Sequence, residues 1–304
     1  MVNCNRMTWT ITLSCLLFIV SERLFAQQVP VIKEIVYSTV DGESLKLDMV
    51  SPLSGNGPFP AVIHFHGGGW QAGDKSHGHN RIFKLAQAGF VAVSVGYRFA
   101  PKFKWPEQIY DAKAAVRFLR EHAKEFNIDP DRIGAVGDSA GGYLALMLGF
   151  TETTDGLEGN TSSSTSSNVQ AVATFCSAGD FTRAGSRKLS PDVEKRITDY
   201  YKKPLSQVLA EFTGTIDPND PKLLKMSART FVDAGDPPVL IFHGAEDPLI
   251  SLEQVEELEN TLKDADVPVE VIVVKGEGHG WYGPALDDTE RKLISFFDQW
   301  LKRK

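Results

Sequence analysis

Cysteine, clustered positive charge and long apolar runs are all scarce in this sequence, and each scarcity excludes a class of protein. Three cysteines among 304 residues are too few for a fold held together mainly by disulfides. The formal charge is −7, and the sequence has no basic block of the kind that neutralises nucleic-acid phosphates. We also find no internal repeat, which argues against repeat architectures. We therefore expect a globular protein with small-molecule partners and no nucleic acid.

The longest N-terminal apolar stretch, residues 9–20, is too short to span a bilayer, which takes about 20 residues. The positively charged Arg6 precedes it, and Ala26 offers a small residue just before a cleavage point, a pattern typical of an export signal. We therefore predict a signal peptide over residues 1–26 and a secreted or periplasmic protein with no stable membrane insertion after cleavage. An uncleaved N-terminal anchor is the alternative.

Only one cysteine remains once that segment is removed. Cys4 and Cys15 lie within it, so a mature chain has only Cys176 and forms no internal disulfide. Cys176 ends an apolar run, where a buried structural thiol is expected. Residues 27–304, in a sequence that is 42% hydrophobic and 23% charged, are sufficient for one domain with a large core.

Apolar runs recur through residues 27–304 and predict a sheet. Two alternating segments, 31–40 and 43–50, flank Asp41-Gly42 and indicate a hairpin at a sheet edge. Six further runs are apolar throughout, which is typical of parallel strands buried on both faces. They span residues 61–65, 90–95, 133–136, 169–175, 239–242 and 269–274. Amphipathic helical patterns occupy residues 111–126, 252–263 and 288–301. The predicted fold class is α/β, with a mostly parallel sheet covered by helices on both faces.

Two segments show no strand pattern. Residues 183–235 combine helical stretches with many loop residues, and we expect them to lie as a cap-like segment over the C-terminal edge of the sheet. The Ser/Thr-rich run 161–167 predicts a mobile surface loop. Asn160 begins a glycosylation acceptor triplet at the start of that run.

The segment 137–141 reads Gly-Asp-Ser-Ala-Gly and fits G-x-S-x-G, between an apolar strand and a helical stretch. This is the context of a nucleophile elbow, a turn so tight that only glycine avoids collision at its ends. The turn presents Ser139 at a helix N-terminus, whose partial positive charge favours an anion. Ser139 is therefore the predicted nucleophile. Asp138 beside it is a candidate substrate-binding residue; it either tunes the local field, hydrogen-bonds the glycine loop or faces solvent.

A glycine-rich loop, His-Gly-Gly-Gly-Trp at residues 66–70, follows the strand at 61–65. Consecutive glycines let the backbone approach a ligand and turn its N–H groups toward it. We predict that the amides of Gly67, Gly68 and Ala140 form an oxyanion hole. Trp70 is a candidate substrate-binding residue, and it is either a wall of the acyl pocket or a core anchor.

A serine hydroxyl needs a base and an orienting carboxylate before it becomes a good nucleophile. Of the seven histidines, His279 follows the last apolar strand in a glycine-rich loop and is the predicted base. Asp247 follows the strand at 239–242 and is the predicted acid, because Pro248 fixes the chain beyond it; Glu246 is the alternative. The chain order Ser139, Asp247, His279 is that of α/β-hydrolases.

Two other histidines receive structural assignments. His64 lies within a predicted strand, so we expect a core residue. His66 begins the glycine loop, and we expect its ring to support the shape of that loop.

Taken together, these motifs resemble the esterase/lipase group of the α/β-hydrolase superfamily that includes hormone-sensitive-lipase-like enzymes. The strongest likeness is to the branch called bifunctional feruloyl/acetyl-xylan esterase-like. The resemblance implies an eight-stranded sheet, no cofactor or metal, and ester hydrolysis through an acyl-enzyme. The matching segments are His66-Gly67-Gly68-Gly69-Trp70, Tyr97-Arg98-Phe99-Ala100-Pro101 with Trp105-Pro106, Asp129-Pro130-Asp131-Arg132-Ile133, Gly137-Asp138-Ser139-Ala140-Gly141-Gly142, His243-Gly244 with Asp247-Pro248, and Gly278-His279-Gly280.

One departure from the family affects the expected substrate. Hormone-sensitive-lipase-like enzymes carry an N-terminal helical cap, whereas few residues here separate the predicted signal from the first strand. We expect a more open site and short-chain acyl or aryl esters, including acetyl or feruloyl groups on plant polysaccharide. The alternatives are an amidase, arylformamidase-like enzyme or peptidase, and a non-catalytic binding module of the same fold. The sequence predicts no oligomeric state.

Overall fold

Eight strands form one mixed sheet in the computed structural model, which describes residues 33–177, 179–183, 188–215, 217 and 219–302. The strands are β1 (Lys33–Val40), β2 (Glu43–Val50), β3 (Phe59–Phe65), β4 (Val91–Val95), β5 (Ile128–Asp138), β6 (Ala171–Phe175), β7 (Val239–Gly244) and β8 (Val269–Val274). Each corresponds to one of the predicted strands. The predicted signal peptide at 1–26 lies outside the described residues.

The strands lie in the order β1-β2-β4-β3-β5-β6-β7-β8. The pairs β1–β2 and β2–β4 are antiparallel, and every other neighbouring pair is parallel. The prediction of a mostly parallel eight-stranded α/β-hydrolase sheet is therefore confirmed. Because β5 to β8 are parallel neighbours, their carboxyl ends meet at one edge, where sites of open α/β sheets form.

Helices cover both faces of this sheet. In the described residues they are α1 (His79–Gln87), α2 (Glu107–Glu121), α3 (Ala123–Phe126), α4 (Ala140–Phe150), α5 (Pro191–Tyr201), α6 (Leu205–Thr213), α7 (Lys222–Met226), α8 (Leu252–Asp264) and α9 (Gly283–Leu301). Helices α2, α4 and α8 contribute to one core, and α1 and α9 to the other.

Strand β3 shows how the two cores share one sheet. Its residues alternate between the faces, so Ile63 belongs to the core with α2 and α4, whereas Val62 belongs to the core with α1 and α9. Both side chains are fully buried, as expected for a strand that reads as a continuous apolar run.

Two helix predictions need correction. The region expected to be one helix at 111–126 contains two, because the chain leaves helical geometry at His122 before α3 begins. Helix α2 also starts earlier than expected, directly after Pro106. Proline is well placed just before a helix, where no intrahelical N–H bond is lost. The helix expected at 288–301 starts earlier, at Gly283, with proline in its first turn.

The region predicted as a cap-like segment contains α5, α6 and α7 among its described residues. Helix α5 starts at the side-chain cap of Ser190, whose Oγ accepts from the Val193 amide, and it is mostly exposed with Ile197 buried. Across the described residues, no helix has both the length and the apolar character needed to cross a membrane.

Candidate active site

Ser139 occupies a strained turn between β5 and α4. Its backbone has φ 50° and ψ −114°, a region that residues with a side chain seldom adopt. A Cβ on Gly137 would lie 2.2 Å from the Gly141 carbonyl oxygen, which explains the glycine there. The Ser139 amide donates to the Phe175 carbonyl at 2.7 Å, so β6 supports the turn. The elbow therefore presents the Ser139 side chain at the N-terminus of α4.

His279 lies between Ser139 and Asp247. Its Nδ1 is 2.7 Å from Asp247 Oδ2, and its Nε2 is 2.8 Å from Ser139 Oγ. Because an ionised carboxylate only accepts hydrogen bonds, Nδ1 carries the proton and Nε2 is left to accept from the serine hydroxyl. The structure thus brings together the three side chains that the sequence singled out, in the geometry that makes a serine nucleophilic.

Asp247 is held as an ionised acceptor. Its side chain is fully buried, and Oδ1 accepts from the amides of Leu249 and Ile250 at 2.8 and 3.1 Å. Burial raises the pKa of Asp247, but the hydrogen bonds from His279 and these amides outweigh burial and bring the pKa below its usual value. The alternative acid, Glu246, is exposed, so the geometry favours Asp247.

The glycine loop lies against the elbow. A Cβ on Gly67 would be 3.1 Å from the Asp138 carbonyl oxygen and 3.4 Å from Ser139 Cβ. Within the described part of the chain, the backbone N–H groups of Gly67 and Gly68 form no hydrogen bond. Ala140 opens α4, where first-turn amides lack intrahelical partners. These three amides are therefore available to an anion beside Ser139.

His66 supports the loop as expected. Its Nδ1–H donates to the Gly67 carbonyl at 2.7 Å, and its ring stacks on Tyr97 with centroids 4.5 Å apart. The Tyr97 hydroxyl in turn donates to the His66 carbonyl at 2.8 Å. Burial lowers the pKa of His66 to about 4, so the ring is neutral at pH 7.

Trp70 combines the two roles left open by the sequence. Its ring is 5% exposed and stacks on Phe212 of α6, with centroids 4.0 Å apart and an interplanar angle of 7°. Tyr143 of α4 packs edge-on against it at 5.6 Å. The same ring lines the cavity that contains Ser139. Trp70 is therefore a core anchor that also forms a wall of the site.

That cavity has a volume of about 640 Å³. The glycine loop, Ser139 and His279 form one side, and α5 and α6 cover the other with the side chains of Ile197, Tyr200, Tyr201, Leu205, Val208 and Leu209. Two of its tyrosines are strongly exposed, Tyr200 at 59% and Tyr282 at 87%. The cavity is thus lined mostly by apolar side chains, with Asp180 and Arg183 among its charged groups and two exposed tyrosines.

Asp138 belongs to a charged network that sequence reasoning missed. Its carboxylate accepts from Arg81 Nη1 at 2.9 Å and from His64 Nε2 at 2.7 Å. Arg81 also donates from Nε to Glu290 at 2.8 Å. Burial raises the pKa of Asp138, but Arg81 and His64 outweigh it and hold that pKa well below the usual range. Asp138 therefore remains ionised directly beside the nucleophile.

His64 has a role at the site in addition to its predicted place in the core. It is buried at 1% exposure, as expected of a core residue, yet it bonds the carboxylate of the elbow. Because His64 lies two residues before His66, the contact ties the strand that leads into the glycine loop to the elbow. Arg81 carried no sequence signal, since helix α1 was not predicted.

One set of metal-ligand side chains occurs in the described residues. Ligand atoms of Cys176, Asp247 and His279 lie within 4.8 Å of one another. Asp247 and His279 already bond each other, and burial, together with the Asp247 charge, raises the pKa of the Cys176 thiol to about 12. Because the thiolate is the form that binds metals, the chemistry of this donor set favours a proton-transfer triad over a metal centre.

Comparisons with known proteins agree with this geometry. A family model described as BD-FAE matches residues 47–262. Esterase LipC of Mycobacterium tuberculosis is 28% identical over 247 residues, which is 80% of this chain and 59% of that protein. The chain spans about half the length of the curated relatives it matches.

Solved structures cover more of the chain. An esterase of Thermogutta terrifontis, with propionate bound, has a TM-score of 0.73 and 27% identity, covering 91% of this chain and 98% of that one. A truncated carbohydrate esterase from gut microbiota has a TM-score of 0.75 and 26% identity, covering 91% and 99%.

Proposed function

The chain belongs to the BD-FAE family of α/β-hydrolases, and on that premise we propose that it is a serine carboxylesterase. The observation that carries the proposal is the chain of hydrogen bonds from Ser139 through His279 to buried Asp247. That arrangement lets a serine hydroxyl attack an ester carbonyl while the histidine takes its proton.

In the proposed reaction Ser139 Oγ bonds to the ester carbonyl carbon, and its proton moves to His279 Nε2. The amides of Gly67, Gly68 and Ala140 stabilise the resulting oxyanion, since preorganised donors stabilise charge that develops in the transition state. His279 then gives the proton to the leaving alcohol, which leaves an acyl-enzyme. Asp247 holds the imidazolium throughout and stays ionised.

The proposed substrates are short-chain acyl or aryl esters, among them acetyl or feruloyl groups on plant polysaccharide. The apolar cavity supports an uncharged acyl group, and the Thermogutta terrifontis esterase is known with propionate and with butyrate. Tyr282 is exposed and directly follows Trp281, which lines the space beside His279. It supports a carbohydrate-linked alcohol, because aromatic faces pack against the apolar faces of sugar rings. The gut carbohydrate esterase adds to that support.

Export forms part of the proposal. It depends on the signal pattern at residues 1–26, and it predicts a mature protein that begins at residue 27. N-terminal sequencing of protein recovered from the periplasm or medium tests it; a product that keeps the first 26 residues contradicts it.

The activity is tested with p-nitrophenyl acetate, butyrate and octanoate, methyl ferulate and acetylated xylan, using wild type beside Ser139→Ala. We expect hydrolysis of the short esters that the substitution abolishes, together with acetate release from xylan. Equal rates on all chain lengths with nothing released from xylan would contradict the substrate proposal. No ester hydrolysis at all by the wild type would contradict the carboxylesterase itself.

A further inference from the structure

A second, smaller cavity opens beside Ser139 and His279. Its volume is about 100 Å³, and its lining includes Arg81, Asp138 and the apolar side chain of Leu286. Among the described residues, the amides of the glycine loop line the large cavity and not this one. The two cavities therefore meet at the nucleophile from different sides.

Acyl transfer places three groups around the carbon that bonds to Ser139, and each group needs space in one of the two cavities. A tetrahedral intermediate on Ser139 carries an oxyanion, an acyl chain and a third group bonded through oxygen. The oxyanion belongs with the loop amides, and the apolar large cavity suits the acyl chain. The third oxygen must lie within reach of His279 Nε2, because that nitrogen supplies or removes its proton. Both cavities contact Ser139 and His279. With the large cavity assigned to the acyl chain, the small cavity is the space left for that oxygen.

Asp138 offers a hydrogen-bond acceptor in this small cavity. Its Oδ2 accepts from both His64 and Arg81, whereas Oδ1 accepts from Arg81 alone. A carboxylate oxygen has two acceptor sites, so one site on Oδ1 is unfilled by these contacts, and the side chain is 38% exposed. Arg81 is itself held by Glu290 at 2.8 Å, so the acceptor is fixed in place.

We propose that the small cavity holds the water that hydrolyses the acyl-enzyme, and that Asp138 is a positioning residue that orients this water. The proposal rests on the proposed carboxylesterase function. The water oxygen bonds to the acyl carbon while one of its protons moves to His279 Nε2. The bond from the acyl carbon to Ser139 Oγ then breaks, and His279 returns that proton to Oγ. The second hydrogen, which Asp138 accepts as a hydrogen bond, stays on the product acid.

Leu286→Trp tests the proposal by filling the cavity from α9. In stopped-flow hydrolysis of p-nitrophenyl acetate, we expect the p-nitrophenol burst to remain and the later steady state to fall at least about tenfold, because misplaced reactants lose rate steeply. Acetyl-enzyme should accumulate in the intact mass. Leu224→Trp makes the same change at an exposed position of α7 that lines neither cavity; it is the matched control and should leave acetyl-enzyme turnover at the wild-type rate.

Asp138→Asn is an independent test, because it removes the carboxylate and leaves the small cavity unfilled. We expect its acetyl-enzyme to turn over slowly in water and to be rescued by hydroxylamine, a stronger nucleophile that depends less on orientation. Leu286→Trp should resist the same rescue. Wild-type turnover of acetyl-enzyme by folded Leu286→Trp, or equal rescue of both variants, overturns the proposal. If the wild type forms no acetyl-enzyme, the carboxylesterase function fails instead.

Discussion

At the scale of the residue, the environment of Asp247 determines which nitrogen of His279 carries the proton. Asp247→Asn keeps the size of the side chain but can present an N–H to Nδ1, which stabilises the tautomer that cannot accept from Ser139. We expect kcat/KM for p-nitrophenyl butyrate to fall by about 10⁴, as the loss of the orienting carboxylate does in serine hydrolases. Steady-state kinetics of the folded variant measure the effect.

Glu246→Gln is the matched control for that substitution. It makes the same chemical change one position earlier, on an exposed side chain of the same loop. We expect its kcat/KM to stay within about twofold of wild type, since surface substitutions away from special features have small effects. Equal losses of kcat/KM in both variants would show that activity depends on the conformation of this loop and not on the Asp247 carboxylate.

Individual catalytic residues could be predicted from the sequence where a motif and the order along the chain both indicated them. Ser139, Asp247 and His279 each follow an apolar strand, so their order along the chain placed them at one sheet edge. The charged network around Asp138, in which Arg81 bonds both Asp138 and Glu290, had no such signal. Arg81 and Glu290 are 209 positions apart, and each looks like an ordinary charged residue on an amphipathic helix until the two helices are packed together.

At the scale of the element, helix α6 is bound to the glycine loop. Gln71, which directly follows Trp70, donates from Nε2 to the Val208 carbonyl at 2.7 Å. Lys203, just before α6, donates to Gln71 Oε1 at 2.8 Å and to Glu211 at 2.6 Å. The helix that covers the large cavity is therefore held to the loop that would stabilise the oxyanion.

Gln71→Ala removes the central member of these contacts. A hydrogen bond contributes about 1 kcal/mol, so we expect α6 to be held less firmly and KM for p-nitrophenyl octanoate to rise about fivefold. The kcat for the acetate ester, which contacts less of α6, should change by less than about twofold. Initial-rate kinetics across the acyl series check the pattern.

Gln207→Ala is the comparison for the same helix. Gln207 is exposed and bonds Glu211 within α6, without contact to the glycine loop in the described structure. It should leave the acyl-length profile of the wild type unchanged. A Gln71→Ala profile that falls uniformly at every chain length would contradict a specific link between α6 and the acyl group.

Element predictions succeeded where one physical pattern dominated. Strands β3, β4, β6 and β7 are buried along nearly their whole length, because helices cover that part of the sheet on both faces. Helix α1 was missed because its sequence, HNRIFKLAQ, begins with three polar residues and includes a buried Arg81. The Arg81 charge can be buried because the carboxylates of Asp138 and Glu290 bind it. Both partners come from distant parts of the chain, so no local sequence pattern indicates them.

At the scale of the whole molecule, the sheet explains how a site forms from distant segments. Ser139 and His279 are 140 positions apart, yet they follow β5 and β8 of the same parallel series. Each strand ends at the same edge, and each following loop therefore reaches the same cavity. The fold fixes the backbone positions of the catalytic loops. The shape of the substrate cavity depends on the other loops and on the cap helices, and the sequence pattern predicted the packing of those helices only coarsely.

The buried histidines make the stability of the whole molecule depend on pH. Burial lowers the pKa of His66 to about 4 in the folded protein, against about 6.5 in an unfolded chain. Between these values the unfolded state binds a proton that the folded state does not, so the free energy of unfolding rises with pH. Burial also lowers the pKa of His64, which adds a contribution of the same sign.

His66→Asn should therefore flatten this dependence, because asparagine does not titrate and still offers an N–H toward the Gly67 carbonyl. One proton contributes a slope of about 1.4 kcal/mol per pH unit, and urea unfolding at several pH values between about 4 and 6.5 measures it. We expect the slope to fall for His66→Asn by up to that amount. A wild-type slope in His66→Asn would mean that the His66 ring accepts a proton in the folded protein as readily as in the unfolded chain, which its burial against Tyr97 argues against.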